Sequence, residues 1–197
     1  MRTDLQYLDV QRSGNAKIEG TPYQDAEFRK GALMLEGKRY ENLLLRYNYY
    51  AGYFEYKEGD QVMYLHPGYA GVDSVWIGDE KYIYLEYQNL QKTKKGYMRM
   101  LYDGQTDVLI FREAIVLQPE ASTGYEEAKP PRFRLQPEQY FVRLQNKPAM
   151  EFNGRKSIPV IFPDHADSLD AFRKREKMKF RTADDLVELC KYYDSLN

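Results

Sequence analysis

Arg39-Tyr40-Glu41-Asn42-Leu43-Leu44-Leu45-Arg46-Tyr47-Asn48-Tyr49-Tyr50, followed after Ala51-Gly52 by Tyr53-Phe54-Glu55-Tyr56, is the stretch on which the fold of this chain turns. Tyrosine accounts for 19 of the 197 residues. It is a pleated-surface residue with an apolar ring and a wet hydroxyl, so this loading points to a sheet rather than a helical bundle. Along a strand the side chains alternate, which places Leu43, Leu45, Tyr47 and Tyr49 on one face and Leu44, Arg46, Asn48 and Tyr50 on the other. The first set reads as core. The second mixes a cation, an amide and a ring, and suits either a binding surface or a buried polar cluster.

Short strands with turn chemistry continue on both sides. Gly31 to Glu36 precedes Gly37-Lys38; Glu58-Gly59-Asp60 separates Tyr53–Lys57 from Gln61–Leu65, which His66-Pro67-Gly68 closes. Val72–Ile77 turns at Gly78-Asp79-Glu80-Lys81 into Tyr82–Tyr87, where Tyr82, Tyr84 and Glu86 oppose Ile83, Leu85 and Tyr87. Lys94-Lys95-Gly96 reads as the next turn, before Tyr97–Tyr102. Asp103-Gly104 is a tight-hairpin pair leading into Thr106–Leu117 as one strand. Trp76, the sole tryptophan, reads as core. Cross-strand ring pairing alone explains such aromatic rows, and a ligand platform is the sharper alternative.

Gln118 to Pro137 breaks the rhythm with four prolines, Gly124 and Glu126-Glu127, as a long excursion or linker does. Gln139–Leu144 and Ala149–Phe152 read as one more hairpin turning at Gln145-Asn146-Lys147. After Gly154 the period changes from two to about 3.6. Ser157 is placed to cap a short helix with Pro159 in its first turn, and Asp164 a second carrying Leu169 and Phe172. Thr182 with Asp185 resembles a capping box opening a helix whose apolar stripe is Leu186, Leu189, Cys190 and Tyr193. The expectation is an α+β protein: an antiparallel β-meander, curled or barrel-like, followed by a C-terminal helical segment. Its organisation is an N-terminal arm over 1–30 with a possible edge strand, a β domain over 31–153, and helices over 154–197 packed on it.

Bulk numbers exclude more than they assign. Basic residues number 29 against 30 acidic, a net charge of -1, so no whole-molecule field steers nucleic acid, and no nucleic-acid partner is expected. One cysteine, Cys190, allows no internal disulfide. No run approaches the roughly 18 apolar residues of a membrane helix, so no transmembrane segment is expected. Met1-Arg2-Thr3-Asp4-Leu5-Gln6-Tyr7 lacks the apolar region of a secretory leader.

Catalytic chemistry finds no foothold. His66 and His165 stand far apart with no zinc-type spacing, so neither a metal nor another cofactor is expected. Asp164-His165-Ala166-Asp167 is explained by negative charge at a helix start. Cys190 falls in an apolar stripe, where a thiol behaves as a small hydrophobe. No serine lies in a Gly-x-Ser-x-Gly context, and neighbouring acids such as Glu126-Glu127 or Asp184-Asp185 say nothing about glycoside chemistry, which depends on separation in space. The cationic stretch from Phe172 to Arg181 reads first as a solvated helix end, with an anionic surface as the alternative.

The run Arg39 to Asn48, then Lys95-Gly96-Tyr97, then Asp184-Asp185-Leu186 through Tyr192-Tyr193-Asp194-Ser195-Leu196 resembles a group of uncharacterised secreted proteins of Bacteroidetes, from the strand near Gly31 to the double tyrosine. The resemblance implies a secreted or periplasmic, cell-envelope setting; without it the chain reads as cytoplasmic. It implies no activity, and no catalytic or binding residues carry over.

The functional expectation is a non-enzymatic envelope protein that binds a protein partner through an aromatic-rich sheet surface or edge, with Arg46, Asn48, Tyr50 and Tyr53 as the candidate surface. The alternative is a small-molecule or glycan binder with a tyrosine-lined cavity. A hydrolase built on converging carboxylates is a third.

Overall fold

The computed structural model describes residues 18–67, 71–89, 92–119, 124, 130–145 and 147–196. Ten of its strands form one sheet: β1 (Arg29–Leu35), β2 (Lys38–Asn48), β3 (Tyr53–Glu58), β4 (Gln61–Leu65), β5 (Val72–Ile77), β6 (Glu80–Asn89), β7 (Lys92–Tyr102), β8 (Thr106–Phe111), β11 (Gln139–Leu144) and β12 (Ala149–Glu151). β9 (Ala114–Leu117) and β10 (Arg132–Leu135) make a separate pair, and helices α1 (Ile158–Ile161), α2 (Ala166–Arg175) and α3 (Ala183–Asp194) follow. The protein is α+β, a mostly antiparallel sheet that curls and closes, with its helices at the C-terminal end.

Strand β6 decides the shape. Along one edge it pairs with β7 from Tyr82 to Asn89. Along the other, Glu80–Ile83 pairs with β5, whereas Tyr87 and Gln88 pair in parallel with Ala149 and Met150 of β12. The last pairing closes β6, β7, β8, β11 and β12 into a five-stranded barrel, and β5, β1, β2, β3 and β4 continue as an open, curled extension.

Alternation along the shared strands then creates three cores. Ile83, Leu85 and Tyr87 point into the barrel with Met98, Leu109, Phe141 and Ala149, which fill it. Tyr82 and Tyr84 point the opposite way and meet Leu45, Tyr47, Phe54, Val75, Ile77 and Tyr97 inside the curl. The rings of Phe54 on β3 and Tyr97 on β7 sit 4.9 Å apart, although four strands separate them in the sheet. On the far side of the barrel, Val108 and Val142 are roofed by Phe152, Ile161, Phe162, Leu169, Leu186 and Leu189. Each fully buried side chain of this size contributes about 1.5–3 kcal/mol.

Turn chemistry explains the hairpins. Between β1 and β2 the two linking residues, Glu36 (φ 50°) and Gly37 (φ 72°), both adopt positive φ, as the preferred two-residue hairpin turn requires. Gly31 has a different reason: a Cβ there would collide with the Trp76 carbonyl oxygen and the Leu45 side chain.

Several local expectations are corrected. Lys94-Lys95-Gly96 lies within β7, and strand pairing continues past it to Asn89 opposite Lys92. Gly96 lies there between the Tyr87 and Phe111 rings, which a Cβ would meet at ordinary contact distances of 3.4 and 3.6 Å. Thr106–Leu117 is two strands, broken at Arg112-Glu113, where Arg112 Nε donates to the Gln136 carbonyl at 2.9 Å and draws the chain away from β8. The excursion after Gln118 contains β10; Glu126-Glu127 lies outside the described residues, as do Gly68 and Asn146 of two expected turns.

Trp76 is only partly buried, since Val75 and Ile77 take the core-facing positions of β5 and the Arg39 guanidinium covers the indole at 4.5 Å. None of the three expected helix caps makes a side-chain cap bond. Asp164 falls in a 3-10 turn and His165 takes the capping position of α2. Asp185 accepts from Lys179 N at 2.9 Å and Phe180 N at 2.6 Å, because the left-handed Phe180 turn (φ 53°) aims those amides at it. Within the arm over 1–30, residues 1–17 lie outside the described residues, and Glu19 forms a single parallel bridge with Arg132.

Candidate functional site

Strand β2 places Arg46 and Asn48 beside Glu55 of β3, opposite Arg46 in register. The Glu55 carboxylate is only 3% exposed and accepts from four groups: Arg46 Nε at 2.7 Å, Arg46 Nη2 at 2.6 Å, Asn48 Nδ2 at 3.1 Å and Tyr23 Oη at 2.8 Å. A buried carboxylate needs such a shell, because an unpaired one is expensive to desolvate. The guanidinium of Arg46 also lies against the Tyr23 ring at 4.0 Å and the Phe28 ring at 4.3 Å, and donates to the Ala26 carbonyl at 2.9 Å. Together these contacts strap residues 21–28 across the mouth of the curl.

The four candidate surface residues therefore part company. Arg46 and Asn48 join one internal cluster, where Asn48 Oδ1 also accepts from Tyr50 N and Ala51 N at 3.1 and 3.0 Å. Tyr50 is 43% exposed and meets Phe133 of β10 edge-on at 5.4 Å. Tyr53 packs on Tyr64 of β4 at 5.2 Å, and burial, then Glu55, pushes its hydroxyl up to about 12.

Behind the strap lies a cleft of about 300 Å³. Gln24, Asp25 and Glu27 form its strap wall, and Arg29, Tyr47, Tyr49, Glu80 and Tyr82 line its sheet side. Its acidic and basic side chains are Asp25, Glu27, Arg29, Arg46 and Glu80, of which Arg46 is paired with Glu55. Glu80 Oε1 accepts from Arg99 Nη1 at 2.7 Å, its Oε2 lies 3.6 Å from Arg29 Nη1, and Arg99 Nη2 reaches Glu138 at 3.5 Å. Tyr49 Oη donates to Gln24 Oε1 at 3.4 Å and Tyr82 Oη to Glu80 Oε2 at 3.5 Å; burial pushes both pKa values up, so both remain neutral at physiological pH. The site offers hydroxyls, ring edges, the Glu80 ion pairs and the carboxylates of Asp25 and Glu27.

Sequence reading placed Tyr47 and Tyr49 in the core and did not single out Tyr23, Glu80 or Arg99. One signal was available: Glu80, Tyr82 and Tyr84 share a strand face opposite the apolar Ile83 and Leu85, which marks a second, more polar packing surface. The strap contacts, by contrast, join Ala26 to Arg46 and Tyr23 to Glu55, 20 and 32 positions apart, and carry no local signature. His165 meets Tyr193 edge-on at 5.5 Å, and among the described residues no group of three or more acidic, His or Cys side chains is placed to hold a metal ion.

No protein-family model, no curated protein and no solved structure matches this chain. Among the described residues no helix is long and apolar enough to cross a membrane.

Proposed function

We propose that this chain is a non-enzymatic binding protein whose ligand is a small neutral hydroxylated molecule, a glycan unit in particular, seated in the tyrosine-lined cleft. The observation that carries the reading is the row of Tyr47, Tyr49 and Tyr82 along the cleft, with the Tyr49 and Tyr82 hydroxyls held by Gln24 and Glu80 and Glu80 paired to Arg29 at its wall. Mouths of curled sheets are common ligand sites, and ring edges with a few fixed polar groups suit a sugar. The filled barrel directs the ligand to the cleft rather than the barrel interior. The cell-envelope setting implied by the sequence resemblance belongs to this proposal, and N-terminal mass spectrometry of protein from its native cells tests it.

The experiment is a glycan array followed by calorimetric titration, with Tyr49→Phe/Tyr82→Phe as the control. Loss of affinity by tenfold or more in a variant that still folds is expected. Unchanged glycan binding in that variant would remove the cleft from consideration.

A second reading keeps a protein partner, through the sheet edge. β4 ends the sheet order, and Gln61-Val62-Met63-Tyr64-Leu65 carries neither charge nor proline to blunt it. A stoichiometric partner on pull-down, lost when Val62 and Tyr64 become lysine, would favour this reading over the cleft.

A further inference from the structure

Positive charge is concentrated at the helical end of this chain. Residues 154–181 carry eight basic residues against four acidic, whereas the whole chain carries 29 against 30. The fold joins two separate segments in this pole. Arg155, on the 3-10 turn Gly154–Ser157 that precedes α1, reaches Asp170 of α2 at 3.3 Å, and Lys174 reaches the same carboxylate at 2.8 Å. Phe180, in the loop after α2, packs edge-on against Phe152 at 4.9 Å and so sets that loop beside the turn.

The acids of the pole leave several cations over. Asp170 is shared by Arg155, Arg173 and Lys174, and Glu176 pairs with Arg175. Asp164 and Asp167 stand at the opposite, N-terminal end of α2. Asp185 meets the loop through the Lys179 and Phe180 amides, not through a side-chain cation. Lys156, Lys177, Lys179 and Arg181 are exposed and have no acidic partner among the described residues. The helix dipole accounts for Arg173–Arg175 in the last turn of α2, but not for Lys156, nor for Lys179 and Arg181 beyond the helix end. One turn past Lys156, Val160 of α1 is 64% exposed, while no other exposed large hydrophobic side chain among the described residues passes 43%.

We propose that this pole docks the protein on an anionic lipid bilayer, with Lys156, Lys177, Lys179 and Arg181 among the headgroups and Val160 at the apolar boundary beneath them. The surface is separate from the tyrosine-lined cleft and does not depend on its reading. Peripheral binding of this kind combines cations with an exposed apolar group, and both are present here. Each cation held near an anionic leaflet strengthens binding by about fivefold, so four without partners give reversible, salt-sensitive docking. A nucleic-acid duplex would neutralise the same cations but offers no apolar phase to Val160.

The test is co-sedimentation of the full chain with vesicles of phosphatidylcholine alone and of phosphatidylcholine with about 30% phosphatidylglycerol. Binding is expected to the anionic vesicles only, and to weaken by about tenfold or more between roughly 0.1 and 0.5 M salt. Lys156→Glu/Lys179→Glu should weaken it by tenfold or more. Lys30→Glu/Lys38→Glu makes the same charge change on β1 and β2 and should leave it unchanged. All four side chains are exposed, so both variants should melt with the wild type. Val160→Ser, which alters no charge, should weaken binding severalfold at every salt concentration. A wild type that ignores anionic vesicles, or an equal loss in the two charge variants, would overturn the proposal. Full vesicle binding by Val160→Ser would overturn it as well, since charge alone would then hold the protein. Retention by duplex DNA or by an acidic protein under salt that releases the vesicles would give the pole to that partner instead.

Discussion

Arg46 grips a single oxygen of Glu55 through both Nε and Nη2, at 2.7 and 2.6 Å, while its guanidinium plane lies against the rings of Tyr23 and Phe28. One side chain thereby ties two strands of the sheet to the segment that walls the cleft. Removing Glu55 strands a partly buried cation and frees the Tyr23 hydroxyl. Glu55→Ala is expected to cost about 3 kcal/mol in urea denaturation. Arg46→Lys keeps the charge but loses the planar stack and should cost about 1 kcal/mol. Limited proteolysis within residues 21–28 should accelerate in both; unchanged cleavage would show that the strap is held by other contacts.

Gly31 sits where β1 meets both β2 and β5, at a register shift, and its α-carbon faces the Trp76 carbonyl. Backbone does not yield as a flexible side chain does. Gly31→Ala should destabilise by about 3 kcal/mol or more. A melting temperature within a degree of the wild type would mean that β1 can shift away from β5 at little cost.

Asp170 accepts from Lys174 and Arg173, which with Arg155 hold its carboxyl at about 2, below the ordinary 3.8. A depressed acid stabilises the fold above its unfolded value and loses that contribution as pH falls through the folded one. The wild type should therefore lose stability between about pH 4 and pH 2 more steeply than Asp170→Asn. Equal acid slopes in denaturation series across that window would show that solvent screens the cluster.

Cys190 is fully buried in α3, and burial pushes its thiol well above the usual range. A disulfide reagent should leave the native protein unlabelled, with labelling appearing only along the urea unfolding transition. Stoichiometric labelling within minutes in native buffer would instead reveal local opening of α3.

How much of this was legible in sequence follows from the range of each interaction. The alternation of Tyr82 and Tyr84 against Ile83, Leu85 and Tyr87 is visible at a spacing of two, and both faces of β6 are used accordingly. The stripe of Leu186, Leu189 and Cys190 is equally local and is buried. The expected turn at Lys94-Lys95-Gly96 failed because the β6–β7 ladder runs straight through it, with Gly96 opposite Leu85 and Lys94 opposite Tyr87, and a cross-strand register leaves no mark in the local residue pattern. Trp76 failed because alternation gives the core face of β5 to its neighbours Val75 and Ile77 and turns the indole toward Arg39.

The chain's own sequence determined the sheet, the hairpin turns, the change to helical period after Gly154 and the absence of internal disulfides, because each depends on neighbours a few residues apart or on composition alone. Only the tertiary structure decided that Ala149 and Met150 close a barrel on Tyr87 and Gln88, that Tyr23 and Arg46 converge on Glu55, and that Glu80 is held by both Arg29 and Arg99. Those contacts join segments tens of residues apart. They exist because β6 offers different partners along its two halves, and that branching is set by how the whole sheet curls.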